Sequence, residues 1–190
     1  MKRITVFCGS SNGVEEVFAE QAVLLGKAFV MQNIGLVYGG TDVGLMAKVA
    51  NAVLQDGGEA IGVIPEQIRD FKLAHENLTE IHVTKDMQSR KTLMCDLADG
   101  FIALPGGFGT LDELFEVLTA SQLSLHQKPV ALLNVNGFYD DLLAMLKKME
   151  AKGFLQQVNI DMLIVSDNVD DLLDKMHSYK VPKEEKWKLN

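Results

Sequence analysis

Arg3-Ile4-Thr5-Val6-Phe7-Cys8-Gly9-Ser10-Ser11-Asn12-Gly13 is a short apolar run that ends abruptly in a polar turn bounded by glycines. Residues 3 to 8 read as a strand, because β-branched and aromatic side chains favour extended chain, and 9 to 13 read as a turn. The turn leads into residues 14 to 32, a predicted helix with Val17, Ala22, Leu25 and Phe29 broadly on one face. The unit is strand, glycine turn, helix.

That unit recurs along the chain. Gly35 to Tyr38 precedes Gly39-Gly40 and a helix over 43 to 55, and Ala60 to Ile64 reads as a strand. Phe101 to Leu104 precedes Pro105-Gly106-Gly107 and a helix from about 109. Val130 to Leu133 precedes a helix at 138 to 150, and Met162 to Val165 one at 168 to 177. Strands of four to six apolar residues alternating with longer helices imply a mostly parallel sheet covered on both faces. The expected fold class is α/β, a doubly wound, three-layer α/β/α arrangement, with residues 1–179 as a single domain. Pro65 to Thr79 breaks the rhythm and is expected to form a long loop or short helix over the strand ends. Residues 180–190 read as a charged C-terminal tail.

With 190 residues, 47% of them apolar and 23% charged, the chain can bury a substantial core. The charge is 18 − 26 = −8, which argues against partners such as nucleic-acid polymers or anionic membranes, since both attract clustered Lys and Arg. Cys8 and Cys95 are the only cysteines and lie in no C-x-x-C or Cys/His cluster, so free thiols in a reducing cytoplasm are expected. Neither a membrane-length apolar stretch nor a signal-peptide core is visible.

In an open parallel sheet, ligands bind beyond the carboxyl ends of the strands, where glycine turns run into helix N-termini. Three such turns are present: Gly9 to Gly13, Gly39 to Gly44, and Pro105-Gly106-Gly107-Phe108-Gly109-Thr110. Gly9, Ser10 and Gly40 are candidate binding positions in the first two. In the third, glycines let the backbone approach an anion closely, Thr110 offers a hydroxyl, and the free amides of the following helix favour negative charge. Gly106, Gly107, Phe108, Gly109 and Thr110 therefore read as a phosphate cradle. None of the turns is G-x-G-x-x-G, and none ends in Gly-Lys-Ser/Thr. Asp112 and Glu113 follow about one helical turn on, where the helix N-terminus favours an ionised Glu113 that could serve as general base or stabilise a cation. Arg90 and Lys91, at the start of the helix before the Phe101 strand, are the nearest basic candidates. An Arg and a Glu facing each other across a phosphate site could cleave a bond on a sugar phosphate.

Pro105 to Glu113 matches P-G-G-x-G-T-x-x-E, and Met87-Gln88-Ser89-Arg90-Lys91 matches M-x-x-R-K. Together they resemble the LONELY GUY (LOG) family of cytokinin riboside 5′-monophosphate phosphoribohydrolases, and Val6 to Ser11, Val37 to Gly40 and Gly44-Leu45-Met46 are similar to that family too. The resemblance spans nearly the whole chain. It implies a Rossmann-like fold, usually a homodimer and sometimes a larger assembly, and hydrolysis of the N-glycosidic bond of a nucleoside 5′-monophosphate to free base and ribose 5-phosphate. No metal or redox cofactor is expected, because a bound phosphate positions the ribose and a carboxylate can stabilise the positive charge. The family's catalytic pair falls on Arg90 and Glu113, and its substrate contacts on Lys91, on Gly107 to Glu113, and on Thr119.

This chain departs from the family at Gln88 and Ser89, where His-Glu is frequent, at Lys72, where an acidic residue is frequent, and at Asp112, where Glu is frequent. The bond-breaking pair is intact, and the departures bear on base preference. Such proteins have also been labelled lysine decarboxylases, but no lysine here sits in a context that marks a Schiff-base residue. His75, His82, His126 and His177 have no metal-ligand spacing and read as structural or surface residues, with the His75 loop the one near the expected site. A non-catalytic carrier of a nucleotide or other phosphorylated ligand on the same fold is the alternative. A DNA-processing module is disfavoured by the charge.

Overall fold

The computed structural model describes residues 1–69 and 73–182. The expected Lys72 departure and residues 183–190 of the expected tail lie outside the described residues.

Seven strands form one sheet: β1 (Arg3–Phe7), β2 (Gly35–Tyr38), β3 (Ala60–Pro65), β4 (Glu80–Thr84), β5 (Gly100–Ala103), β6 (Val130–Leu133) and β7 (Leu163–Ser166). Their spatial order is β4-β3-β2-β1-β5-β6-β7 and every pairing is parallel. The interleaved helices are α1 (Glu16–Met31), α2 (Gly44–Gln55), α3 (Glu66–Arg69), α4 (Met87–Leu97), α5 (Phe108–Gln122), α6 (Asp140–Ala151), α7 (Gln157–Ile160) and α8 (Val169–His177). This is the expected doubly wound, Rossmann-like α/β fold.

Alternate strand residues face opposite layers, as the twofold strand period requires. Ile4, Val6, Leu36 and Tyr38 pack with α1, α2 and α8 through Leu25, Phe29, Val49 and Leu172. Phe7, Val37, Phe101 and Leu132 pack with α4, α5 and α6 through Met94, Leu114 and Leu146. On α1 the buried stripe is Phe18, Ala22, Leu25 and Phe29. Phe18 takes the place expected of Val17, which is only partly buried.

Two elements were not anticipated. Strand β4 falls just after the irregular 65–79 segment, pairs with β3 alone, and leaves Ile81 and Val83 about two-fifths exposed at the sheet edge. The single-turn helix α7 is held by a reciprocal cap between Gln156 and Asn159. The short helix expected beyond Pro65 is α3.

Gly26 lies inside α1, where glycine costs roughly 1 kcal/mol relative to alanine. A β-carbon there would stand 2.7 Å from both Ala52 Cβ and the Val49 carbonyl on α2. Glycine is present because the two helix backbones approach too closely for a side chain. Gly26→Val should lower stability by about 1–3 kcal/mol through overpacking, read as a drop in urea midpoint with unchanged m-value.

Candidate active site

The chain winds outward from β1 through β2, β3 and β4, then returns to add β5 on the other side of β1. The crevice between the turns after β1 and β5 is therefore the topological switch point of the sheet. Leu104 N–H donates to the Phe7 carbonyl at 2.9 Å, and Gly9 N–H to the Pro105 carbonyl at 3.0 Å, so the first and third glycine turns run side by side. Leu45 N–H, at the start of α2, donates to the Gly9 carbonyl at 3.1 Å. A β-carbon on Gly106 would strike the Thr110 side chain, and one on Gly44, whose φ is +55°, would strike the backbone of Ser10 and Ser11. The turns touch through backbone, which is why glycine stands at these positions.

Helix α5 opens at Phe108 with Gly107 as its N-cap and no side-chain cap. Its first amides are open to a ligand, and the helix dipole favours an anion there. Gly107 and Gly109 have φ outside the left-handed region, and a β-carbon on either would meet nothing within 4 Å. Neither packing nor backbone strain demands glycine at these two positions. They leave the amides bare over a cleft of about 540 Å³, which Gly9, Ser10, Phe108 and Thr110 also line. Thr110 itself is buried beneath Gly106.

Arg90 reaches the same cleft from α4, which Asp86 caps by accepting from Ser89 N–H at 2.7 Å. Arg90 Nε donates to the Val63 carbonyl at 2.9 Å, and Nη1 to Glu113 Oε1 at 2.6 Å. Both side chains of this ion pair are close to nine-tenths buried. The expected separation of Arg90 and Glu113 by a phosphate is not what forms: they touch, on the cleft wall beside the cradle. Burial raises the Glu113 carboxyl above its ordinary range, and the neighbouring Arg90 charge and hydrogen bond pull it partly back. The net shift is upward, opposite to the ionised form expected at a helix N-terminus, because desolvation outweighs the attraction of Arg90.

Residues 46–176 match the family described as "Possible lysine decarboxylase". Over 185 residues the chain is 43% identical to the cytokinin riboside 5′-monophosphate phosphoribohydrolase LOG1 of Arabidopsis thaliana, an alignment covering 97% of this chain and 86% of that protein. It is 41% identical over 193 residues to the probable phosphoribohydrolase LOGL2 of Oryza sativa subsp. japonica, covering 99% and 79%. The chain belongs to the LOG family. Among solved structures, the molybdenum cofactor binding protein of Rippkaea orientalis superimposes with a TM-score of 0.71 at 21% identity, over 94% of this chain and 97% of that one, a likeness of fold.

In this LOG-family chain Lys91 is tied down by carboxylates. Its Nζ lies 2.6 Å from Glu116 and 3.1 Å from Asp112, and the hydrogen bond to Glu116 raises its pKa. An amine held in its protonated form is a poor Schiff-base nucleophile, so Lys91 does not suit the decarboxylase description. Gln88 Nε2 also donates to Glu116, at 3.3 Å.

Three expected positions lie elsewhere. Gly106 lines an adjoining hollow with Ser11, Leu45 and Phe138. Gly40, with φ of +74°, packs its α-carbon side against Gly62, and its carbonyl accepts from His75 N–H, so it builds the turn behind the cleft. Thr119 sits three turns along α5 and lines a neighbouring groove with Phe115, Leu123 and Leu125. Phe108 is 94% exposed where cleft and groove meet, so it does not seal the turn. His75 is buried against Asn51 at 3.1 Å, while Leu73 from its loop lines the cleft.

Gly39, Thr41, Met46 and Cys8 line the cleft and were not singled out. The same rule that points to the ends of β1 and β5 also points to the turn after β2, but does not say which of its side chains face inward.

Because Glu113 has a folded pKa above its unfolded value, its ionisation opposes folding at neutral pH, and this penalty fades as pH falls through the raised pKa toward the ordinary carboxylate range. Glu113→Gln should therefore melt at the same temperature as the parent or higher at neutral pH. Scanning calorimetry from pH 8 to 4 should show the gap closing as pH falls.

Proposed function

We propose that the protein hydrolyses the N-glycosidic bond of a nucleoside 5′-monophosphate, releasing free base and ribose 5-phosphate. The substrates are cytokinin riboside 5′-monophosphates, AMP or both, and residues 1–179 carry the activity as one domain. The observation that carries this reading is the buried Arg90–Glu113 pair beside an uncapped helix N-terminus in a single cleft. Membership of the LOG family over nearly the whole chain supports it.

The 5′-phosphate rests on the amides of Gly107 to Thr110, with Gly9 and Ser10 closing its other side. This fixes the ribose so that C1′ lies near Glu113. Arg90 holds Oε1, and among the described residues Oε2 accepts no hydrogen bond. A carboxylate whose pKa is raised by burial is a stronger proton acceptor than one in water. As the bond from C1′ to the base nitrogen breaks, its electron pair leaves with the base, which takes a proton from solvent. Positive charge grows on C1′ and the ring oxygen, where the Glu113 carboxylate stabilises it. Water then bonds to C1′ and gives its proton to Glu113, which returns it to solvent and so replaces the proton the base took up. Arg90 orients the carboxylate and offers donors to the sugar phosphate. A hydrolysis of this kind calls for no electron sink or redox partner.

A carrier on the same scaffold would retain a nucleotide stoichiometrically without turnover, but an anion carrier gains nothing from a buried carboxylate beside its cradle. The test is incubation with AMP and with N6-isopentenyl-AMP, followed by chromatography of free base. The parent should release base, and Glu113→Gln should lower kcat by about a hundredfold or more. Recovery of intact nucleotide at one equivalent per chain, with no base formed, would overturn the hydrolase reading.

We also propose a homodimer, in the cytoplasm. The groove beside the cleft is about 730 Å³ and carries Leu123 and Leu125 at 56% and 75% exposure. Among the described residues no helix is long and apolar enough to cross a membrane. Both cysteines are free, and burial pushes the Cys95 thiol up to about 11, which leaves little thiolate to oxidise. Sedimentation should give twice the chain mass, and Leu125→Asp should shift it to the monomer.

A further inference from the structure

Arg90 Nε is held by the Val63 carbonyl and Nη1 by Glu113, with Met87 Sδ 3.6 Å from Nη1. Nη2 lies against the end of β2. A β-carbon on Gly39 would stand 2.5 Å from that nitrogen and 2.9 Å from Met46 Sδ, which accepts from Thr41 Oγ1 at 3.3 Å. Gly39 is buried, yet its φ lies outside the left-handed region, so its backbone is one that other residues can adopt. The adjacent Gly40 differs: its φ is +74°, and a β-carbon there would stand 3.3 Å from the Gly62 backbone. Gly40 is required by the turn, whereas Gly39 meets only the ends of two side chains.

We propose that Gly39 is a positioning residue for the reaction, acting through Arg90: the absent side chain is the seat in which the guanidinium lies, so that Nη1 reaches Glu113 while Nη2 is directed along the cleft wall. The proposal rests on the reading of Arg90 and Glu113 as the reacting pair. An alanine at 39 leaves the strand and turn intact and moves the guanidinium, because that neighbour is the far end of a flexible side chain. A displacement of about 1 Å in a positioning group can cost about a hundredfold in rate.

The experiment compares parent, Gly39→Ala, Arg90→Ala and the double variant in kcat, KM and thermal midpoint. Gly39→Ala should stay folded, with a midpoint at neutral pH slightly below the parent's because the higher Glu113 pKa weighs against folding, and hold KM within about threefold, since the phosphate rests on α5, while kcat falls about a hundredfold. In the Arg90→Ala background the same alanine should cost nothing further, because groups that act as one unit are not additive. An equal loss in both backgrounds, or parent kcat in Gly39→Ala, overturns the proposal.

If Gly39→Ala alone fails to fold, the double variant decides. Folding restored by removal of Arg90 supports the seat, and failure of both overturns it. A readout without turnover separates this proposal from the hydrolase reading: carbon NMR titration of the Glu113 carboxyl. Its pKa should be higher in Gly39→Ala than in the parent, because the displaced guanidinium no longer pulls it down. An unchanged titration overturns the seat even where the enzyme is active, and a shifted one upholds it even where no nucleotide is hydrolysed.

Discussion

Parallel pairing of β1 with β2 on one side and β5 on the other is the constraint on which the rest of the molecule depends, because it forces the chain to reverse its winding direction at β1. The reversal opens a crevice at the carboxyl ends of the two strands and brings their glycine turns together. Register does this closely, with Ile4 opposite Gly100 and Phe7 opposite Ala103. Once the Gly9 amide bonds the Pro105 carbonyl, the start of α5 can lie only over that crevice. Helix α4 comes to the same rim from the sheet's far side, since β4 lies three strands away. Arg90 spans the gap to Glu113.

This geometry also resolves an apparent conflict in the charge. A net charge of −8 disfavours long polyanions, yet the proposed substrate carries a phosphate. Among the described residues, the basic side chains lining the cleft, Arg90 and Lys91, are engaged by carboxylates, Arg90 by Glu113 and Lys91 by Asp112 and Glu116. Attraction for an anion therefore comes chiefly from bare amides and the dipole at the start of α5, which act over one turn of helix. Such a field suits a small anion and does not draw a polymer along the surface. Burial adds the second ingredient, because the desolvation that raises the Glu113 pKa also makes its carboxylate a better base.

Most of the sheet was legible because each buried parallel strand is a short apolar run ended by glycine or a polar turn. Strand β4 was not, because Glu80, His82 and Thr84 interrupt its two apolar residues, Ile81 and Val83, and it has no glycine turn of its own. The site was legible as a set of turns rather than as a set of side chains. Arg90, Glu113, Gly107 and Gly109 line one cleft, while Gly106 and Gly40 pack in the turns and Thr119 runs along α5 into the next groove. Gly39 and Met46 face the cleft instead. Which of two adjacent glycines serves the backbone and which serves a neighbour depends on φ and on what stands opposite, and neither is written in a run of identical letters.

The sequence by itself determined the fold class, the strand ends at which chemistry could occur and the residue types available there, because periodicity and glycine turns are local properties of the chain. Only the tertiary structure decided that Arg90 and Glu113 touch rather than face each other across a gap, that burial outweighs the pull of Arg90 on Glu113, and that Gly39 lies under the guanidinium. Those outcomes depend on distances and desolvation between segments far apart in the chain, and these are set when the sheet closes around β1.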